Sequence, residues 1–153
     1  MTMNFTRRQA LAITAGAFAV VAWPGAIAPA SAAKNDAQEL IKKFTGGKEP
    51  VKGKIKLDLP EIAENGNAVP MTVSVESPMT NDSHVTDVLV VADANPRAGV
   101  ATFHFSPASG AAEANTRIRL AETQNVIAVA KMNDGSVFID SKQVKVTIGG
   151  CGG

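Results

Sequence analysis

The sequence predicts an all-β domain: an immunoglobulin-like antiparallel β-sandwich with a short N-terminal helix and a flexible glycine-rich C-terminal arm. Three observations predict it. Apolar residues alternate with polar ones in short segments from Val51 to Ile148, the period of a strand with one buried face. Turn-forming stretches, among them Asn65-Gly66, Asn95-Pro96-Arg97-Ala98-Gly99 and Asn133-Asp134-Gly135, separate these segments. Their spacing of roughly 8–12 residues is that of a sandwich of about seven or eight strands. Helical spacing occurs in one stretch only, beginning at Asp36.

Residues 1–32 read as a targeting segment. Arg7-Arg8 precede an apolar run from Leu11 to Ala22, and Ala30-Ser31-Ala32 supplies small residues for cleavage. The run is about 12 residues, short of the roughly 20 that span a bilayer. Thr6-Arg7-Arg8-Gln9-Ala10-Leu11 resembles the twin-arginine export signal, with Ala10 where a phenylalanine is usual, so general secretion is the other route. Either route leads to the periplasm. Residues 33–148 then form the sandwich domain and residues 149–153 the arm.

In the helical stretch Asp36 is a candidate N-cap, Ala37, Leu40, Ile41 and Phe44 share one face, and Gly46-Gly47 ends the helix. Such a face predicts a helix lying on a sheet. From Val51 the period becomes two: Val51, Gly53, Ile55, Leu57 and Leu59 alternate with Lys52, Lys54, Lys56 and Asp58, which reads as one strand whose lysines face solvent or guard an edge. Pro60 to Pro70 is a turn-rich connection, and Met71, Val73 and Val75 form the next strand. The run Val88-Leu89-Val90-Val91 predicts a strand covered on both faces. Val100–Phe105 is a strand, Ser106–Asn115 a loop, and Ile118 and Leu120 alternate with Arg117 and Arg119. Asn125–Met132 and Ser136–Asp140 make a hairpin. The last strand, Val144, Val146 and Ile148, runs into the arm, with Ile148 as its anchor in the sheet.

Removing 32 of 153 residues leaves 121, a length suited to one domain. Both leader charges are arginines, so 13 basic side chains remain against 14 acidic ones. That balance offers no electrostatic case for nucleic acid or an anionic membrane. Tyrosine is absent and the single tryptophan, Trp23, belongs to the leader, so no aromatic platform for stacking bases or sugars remains.

The chemistry concentrates in Gly149-Gly150-Cys151-Gly152-Gly153. Cys151 is the one cysteine of the sequence, so no disulfide forms within the chain. An odd cysteine in an exported protein points to intermolecular pairing or a free reactive thiol. A glycine tail builds no core around it. A free cysteine has a pKa of about 8.5, and a self-activating one needs an adjacent base or cation. The flanking glycines bring neither, so activation falls to whatever enzyme binds the tail. This argues for a carrier substrate and against an enzyme. A copper site built from Cys151 with His84, His104, Met71, Met79 or Met132 is disfavoured because such sites hold the cysteine in a rigid loop with closely spaced ligands. The terminal Gly152-Gly153 also matches ubiquitin-like sulfur carriers superficially, but those need ATP, which an exported protein lacks.

A Gly-Gly-Cys-Gly-Gly terminus on an exported β-rich domain resembles the SoxY family, the sulfur-carrier subunits of the bacterial thiosulfate-oxidising Sox system. The resemblance covers essentially the whole chain after the leader. It implies that Cys151 holds sulfur covalently, as a thiosulfonate and then as sulfane or sulfonate adducts. Gly149, Gly150, Gly152 and Gly153 then form a carrier arm that meets enzyme clefts through its backbone. The implied partners are a SoxZ-like β-sandwich subunit, a haem-containing enzyme that attaches thiosulfate, a dimanganese hydrolase that releases sulfate and, where present, a molybdenum–haem sulfane dehydrogenase. Their cofactors belong to those enzymes, so this chain is expected to carry none. The alternative is a non-catalytic exported protein whose tail thiol makes an intermolecular structural or redox disulfide.

Overall fold

The structure, a computed structural model, describes residues 36–149. The expected leader, residues 1–32, lies outside the described residues. Helix α1 (Ala37–Thr45) forms where the apolar spacing predicts it and ends at Gly46, whose φ of 64° is left-handed. The N–H groups of Gly46 and Gly47 return to the carbonyls of Lys43 and Lys42 at 3.3 and 3.0 Å. Asp36 occupies the N-cap position, but its side chain makes no cap hydrogen bond. Its carboxylate instead accepts from the Ala98 N–H at 3.3 Å, tying the helix start to the sheet below.

Nine strands follow among the described residues: β1 (Val51–Lys52), β2 (Ile55–Asp58), β3 (Ile62–Ala63), β4 (Val69–Val75), β5 (Val85–Ala92), β6 (Gly99–His104), β7 (Ala112–Ile118), β8 (Gln124–Met132) and β9 (Val137–Val146). They build the expected two-layer sandwich. The larger sheet runs β1-β9-β8-β5-β6, with β3 also on β9; the smaller runs β2-β4-β7. Long antiparallel ladders carry both sheets, while β1 and β3 add short parallel pairings at the two ends of β9, at Phe138–Ile139 and Lys145–Val146.

Between the sheets lies the main core. Val69, Met71 and Val73 of β4 meet Val88 and Val90 of β5 and Val126 and Ala128 of β8, all buried, with Leu120 wholly enclosed beside them. The opposite side of β5 and β8 presents Leu89, Val91, Ile127 and Val129 to Ala37 and Ile41 of α1. The dense apolar run of β5 therefore has the two covered faces its composition predicts.

Four expectations change. The alternating stretch from Val51 is not one strand: Gly53 at φ 121° and Lys54 at φ 56° break it. Only glycine takes the first of these angles without steric cost, and the break lets the chain leave the β9 edge as β1 and cross to the smaller sheet as β2. Val51, placed by pattern on the apolar face, is 62% exposed. The crossing is secured where the Leu57 N–H donates to the Asp140 carboxylate of β9 at 2.8 Å. Second, the stretch between Pro60 and Pro70 contains β3. Third, only Ser106–Ala111 is loop, with a single 3₁₀ turn at Pro107–Ser109; Ala112–Asn115 belong to β7 and pair with β4. Fourth, the hairpin arm and the last strand are one strand, β9, which ends at Val146 rather than Ile148.

Candidate functional site

The described chain ends at the root of the glycine tail. Cys151, Gly150, Gly152 and Gly153 lie outside the described residues, and Gly149 is the one arm residue placed. Ile148 is not anchored through its side chain, which is 67% exposed. Backbone holds this segment instead. Thr147 donates to the Ala63 carbonyl at 3.0 Å, its hydroxyl donates to the Glu64 carbonyl at 3.0 Å, and the Ile148 carbonyl accepts from the Gly66 N–H at 2.8 Å. Gly66 in turn accepts from the Leu120 N–H at 2.8 Å. The short strand β3 and the turn after it thus clamp the chain leaving β9.

Gly149 lies against the loop between β7 and β8. A Cβ on Gly149 would collide with the carbonyl oxygen of Ala121. Its lack of a side chain therefore serves contact with its own domain.

Two side-chain amides hold the Ala121 segment. Asn95 donates to the Arg119 carbonyl at 2.8 Å and accepts from the Ala121 N–H at 2.9 Å. Gln124, 3% exposed, donates to Asn95 at 2.9 Å and to the Glu122 carbonyl at 3.0 Å, and accepts from the Ala94 N–H at 3.0 Å. A buried amide with its capacity filled in this way holds its partners in one arrangement, because breaking any bond leaves a desolvated polar group. Sequence reading missed this pair. Asn95 sat inside a recognised turn, and no local pattern marks Gln124, at the first residue of β8, as buried.

The other residues considered for chemistry are dispersed. Met71, Met79 and Met132 are core residues. His84 Nδ1 lies 3.0 Å from the Thr80 carbonyl oxygen, and His104 Nδ1 lies 2.5 Å from the Asp87 carboxylate on the surface. Among the described residues no three His, Cys, Asp or Glu side chains come together as a metal site. A groove of about 610 Å³ crosses the smaller sheet between Asp58, Pro70, Thr72 and Arg117. No helix among the described residues is long and apolar enough to cross a membrane.

Fold and site together define a small two-sheet β-sandwich that grips, by backbone bonds, the root of a tail bearing the chain's one cysteine. The chain belongs to the SoxY family of sulfur oxidation proteins, whose family model matches residues 41–151. Among solved structures, the sulfur carrier protein SoxY from Chlorobium limicola f thiosulfatophilum is 32% identical with a TM-score of 0.59, over 72% of this chain and 96% of that one. Superoxide reductase (neelaredoxin) from Ignicoccus hospitalis aligns at TM-score 0.55 and 16% identity, over 61% of this chain and 80% of that one. Superoxide reductase from Nanoarchaeum equitans aligns at 0.51 and 13%, over 63% and 96%. Likeness at these lower identities is one of fold alone. Among curated proteins none matches the chain significantly.

Proposed function

We propose that this chain is a covalent sulfur carrier of a periplasmic sulfur-oxidation system, holding its intermediates on the thiol of Cys151. One observation carries the reading: the family match runs to residue 151, and residue 151 is the only cysteine in the sequence. Similarity to the Chlorobium sulfur carrier protein supports it further.

The chain's role in each step is to present one sulfur atom. In the loading step the Cys151 sulfur bonds to the sulfane sulfur of thiosulfate. The thiol proton is released and a pair of electrons passes to a haem-containing partner. Hydrolysis by a dimanganese partner then adds water across the bond to the sulfonate, frees sulfate and leaves a persulfide on Cys151. A molybdenum–haem dehydrogenase, where present, oxidises that sulfur further, and a SoxZ-like sandwich subunit accompanies the carrier throughout. Glycines on each side of Cys151 support entry into such active sites, since a tail without side chains has the narrowest cross-section a peptide offers. The chain is a substrate platform and catalyses none of these steps itself.

The test is intact-protein mass spectrometry of material from cells grown with and without thiosulfate, before and after reduction. The expected result is a reducible thiosulfonate, persulfide or polysulfide shift on the terminal peptide. Cys151→Ser should abolish the shift and stop thiosulfate turnover in a reconstituted system. Its thermal midpoint should stay within the range of ordinary surface substitutions, about 0.5 kcal/mol. Free thiol and disulfide dimer alone, under both growth conditions, would favour the intermolecular disulfide instead.

A further inference from the structure

We propose that Asn95 and Gln124 are positioning residues for the carrier arm: acting through Ala121, they fix Gly149 as the point where the arm leaves the domain. This rests on the carrier reading for its purpose, while the anchor itself rests on contacts within the described residues. Ile148 does not pack into the sandwich. With its side chain 67% exposed, Ile148 provides no apolar plug, so the position of the described root beyond Val146 depends on hydrogen-bond and backbone partners. Thr147 is held by Ala63 and Glu64 next to β3; beyond it the partners are Gly66, which bonds Ile148, and Ala121, whose carbonyl abuts Gly149.

Neither partner is in a sheet ladder, so each needs its own support. Leu120 supplies part of it: its side chain is wholly buried and its N–H donates to Gly66 at 2.8 Å. Asn95 supplies the rest by bonding residues on both sides of Leu120, the Arg119 carbonyl and the Ala121 N–H. Gln124 locks Asn95 from behind at 2.9 Å. The Ala121 N–H held by Asn95 and the Glu122 carbonyl held by Gln124 bracket the peptide unit whose carbonyl faces Gly149, so that unit is fixed from both sides.

The consequence is a defined reach. From Gly149 two residues lead to Cys151, and at about 3.3–3.6 Å per residue its backbone travels at most about 7 Å. If the root let go back to Val146, where β9 ends, the pivot would retreat by three residues and the same estimate would give about 17 Å. A short arm with a fixed origin delivers its thiol to one small volume, whereas a longer one dilutes it over many.

The experiment uses the mature protein, Asn95→Ala and Gly149→Ala, with amide exchange read residue by residue. The Gly66 amide, whose acceptor is Ile148, should lose protection by about tenfold or more in both variants, as expected when a local anchor opens. Amides of Val88 and Ala130 at the centre of the larger sheet should keep theirs. Unchanged Gly66 protection in Gly149→Ala, or loss spread evenly over the sandwich, overturns the anchor. Where Asn95→Ala fails to fold, Asn95→Asp, which keeps the acceptor for the Ala121 N–H and loses the donor to Arg119, takes its place, and unchanged Gly66 protection in it overturns the role of Asn95. Enzymatic loading of Cys151 should slow in both variants while its reaction with a small thiol reagent does not. A loosened root with undiminished loading overturns the positioning role. If wild-type Cys151 accepts no sulfur, the carrier reading falls and the amide result still decides the anchor.

Discussion

Asp134, at the tip of the β8–β9 hairpin, accepts from the Ser136 hydroxyl at 2.6 Å and from the Ser136 N–H at 2.8 Å. The hydroxyl bond first, then the backbone bond, holds this carboxyl below its ordinary 3.8, because both favour the charged form; Lys54 and Lys48 add a smaller pull. A carboxyl depressed in the folded state stabilises the fold above its unfolded value, and that contribution is lost as pH falls through the folded one. The hairpin tip should therefore loosen only below about pH 4. The side chain is fully in solvent, so the effect stays local. Ser136→Ala should move the Asp134 midpoint up toward 3.8 in a carboxyl NMR titration. No movement would remove the Ser136 hydroxyl as the cause. At Gly149 a missing side chain accommodates the Ala121 carbonyl.

Helix α1 is a lid on an otherwise exposed apolar surface. Without it Leu89, Val91, Ile127 and Val129 would face water on the outer side of the larger sheet. Ile41, 8% exposed, is its central contact. Ile41→Ala should cost about 2 kcal/mol in urea unfolding, the lower end for large-to-small changes because a peripheral helix can settle into the gap. A loss below about 0.5 kcal/mol would show that the lid contributes nothing beyond an ordinary surface position. On the other flank β1 and β3 are too short to stand alone, and each survives by pairing with β9. Together they cover the two ends of that strand's outer edge, and β3 leads directly into the clamp on Ile148.

Across the whole molecule, the sandwich supplies a stable body and the tail carries the proposed chemistry. Most of the main core comes from β4, β5 and β8, and neither Ile148 nor Gly149 is among its residues. Changes in the arm should therefore separate cleanly from changes in stability. Replacing Gly152, or Gly150, with leucine is expected to leave the thermal midpoint where it is and to slow processing by partner enzymes about tenfold or more, equal to about 1.4 kcal/mol or more in the barrier. Full activity in these variants, measured in a reconstituted thiosulfate-oxidising system, would count against access through a narrow cleft.

By itself the sequence determined the class of fold, the helix on the sheet, the doubly covered strand at Val88–Val91 and the lone cysteine in its glycine setting. Each is a local signal, since strand period, helix period and composition are written in consecutive residues. Tertiary structure alone decided that the Val51–Leu59 pattern divides between two sheets, that Ile148 lies open, and that Gly149 rests on Ala121. Alternation reports which side of a strand is apolar, but it does not report which sheet a segment joins. The root depends on Gly66 and Asn95 from two separate loops and on Ala121 and Gln124 at the entry to β8; Asn95 and Gln124 are 29 residues apart in the chain. Long-range hydrogen bonds and close backbone approaches leave no periodic trace, so they became visible only when the chain had folded.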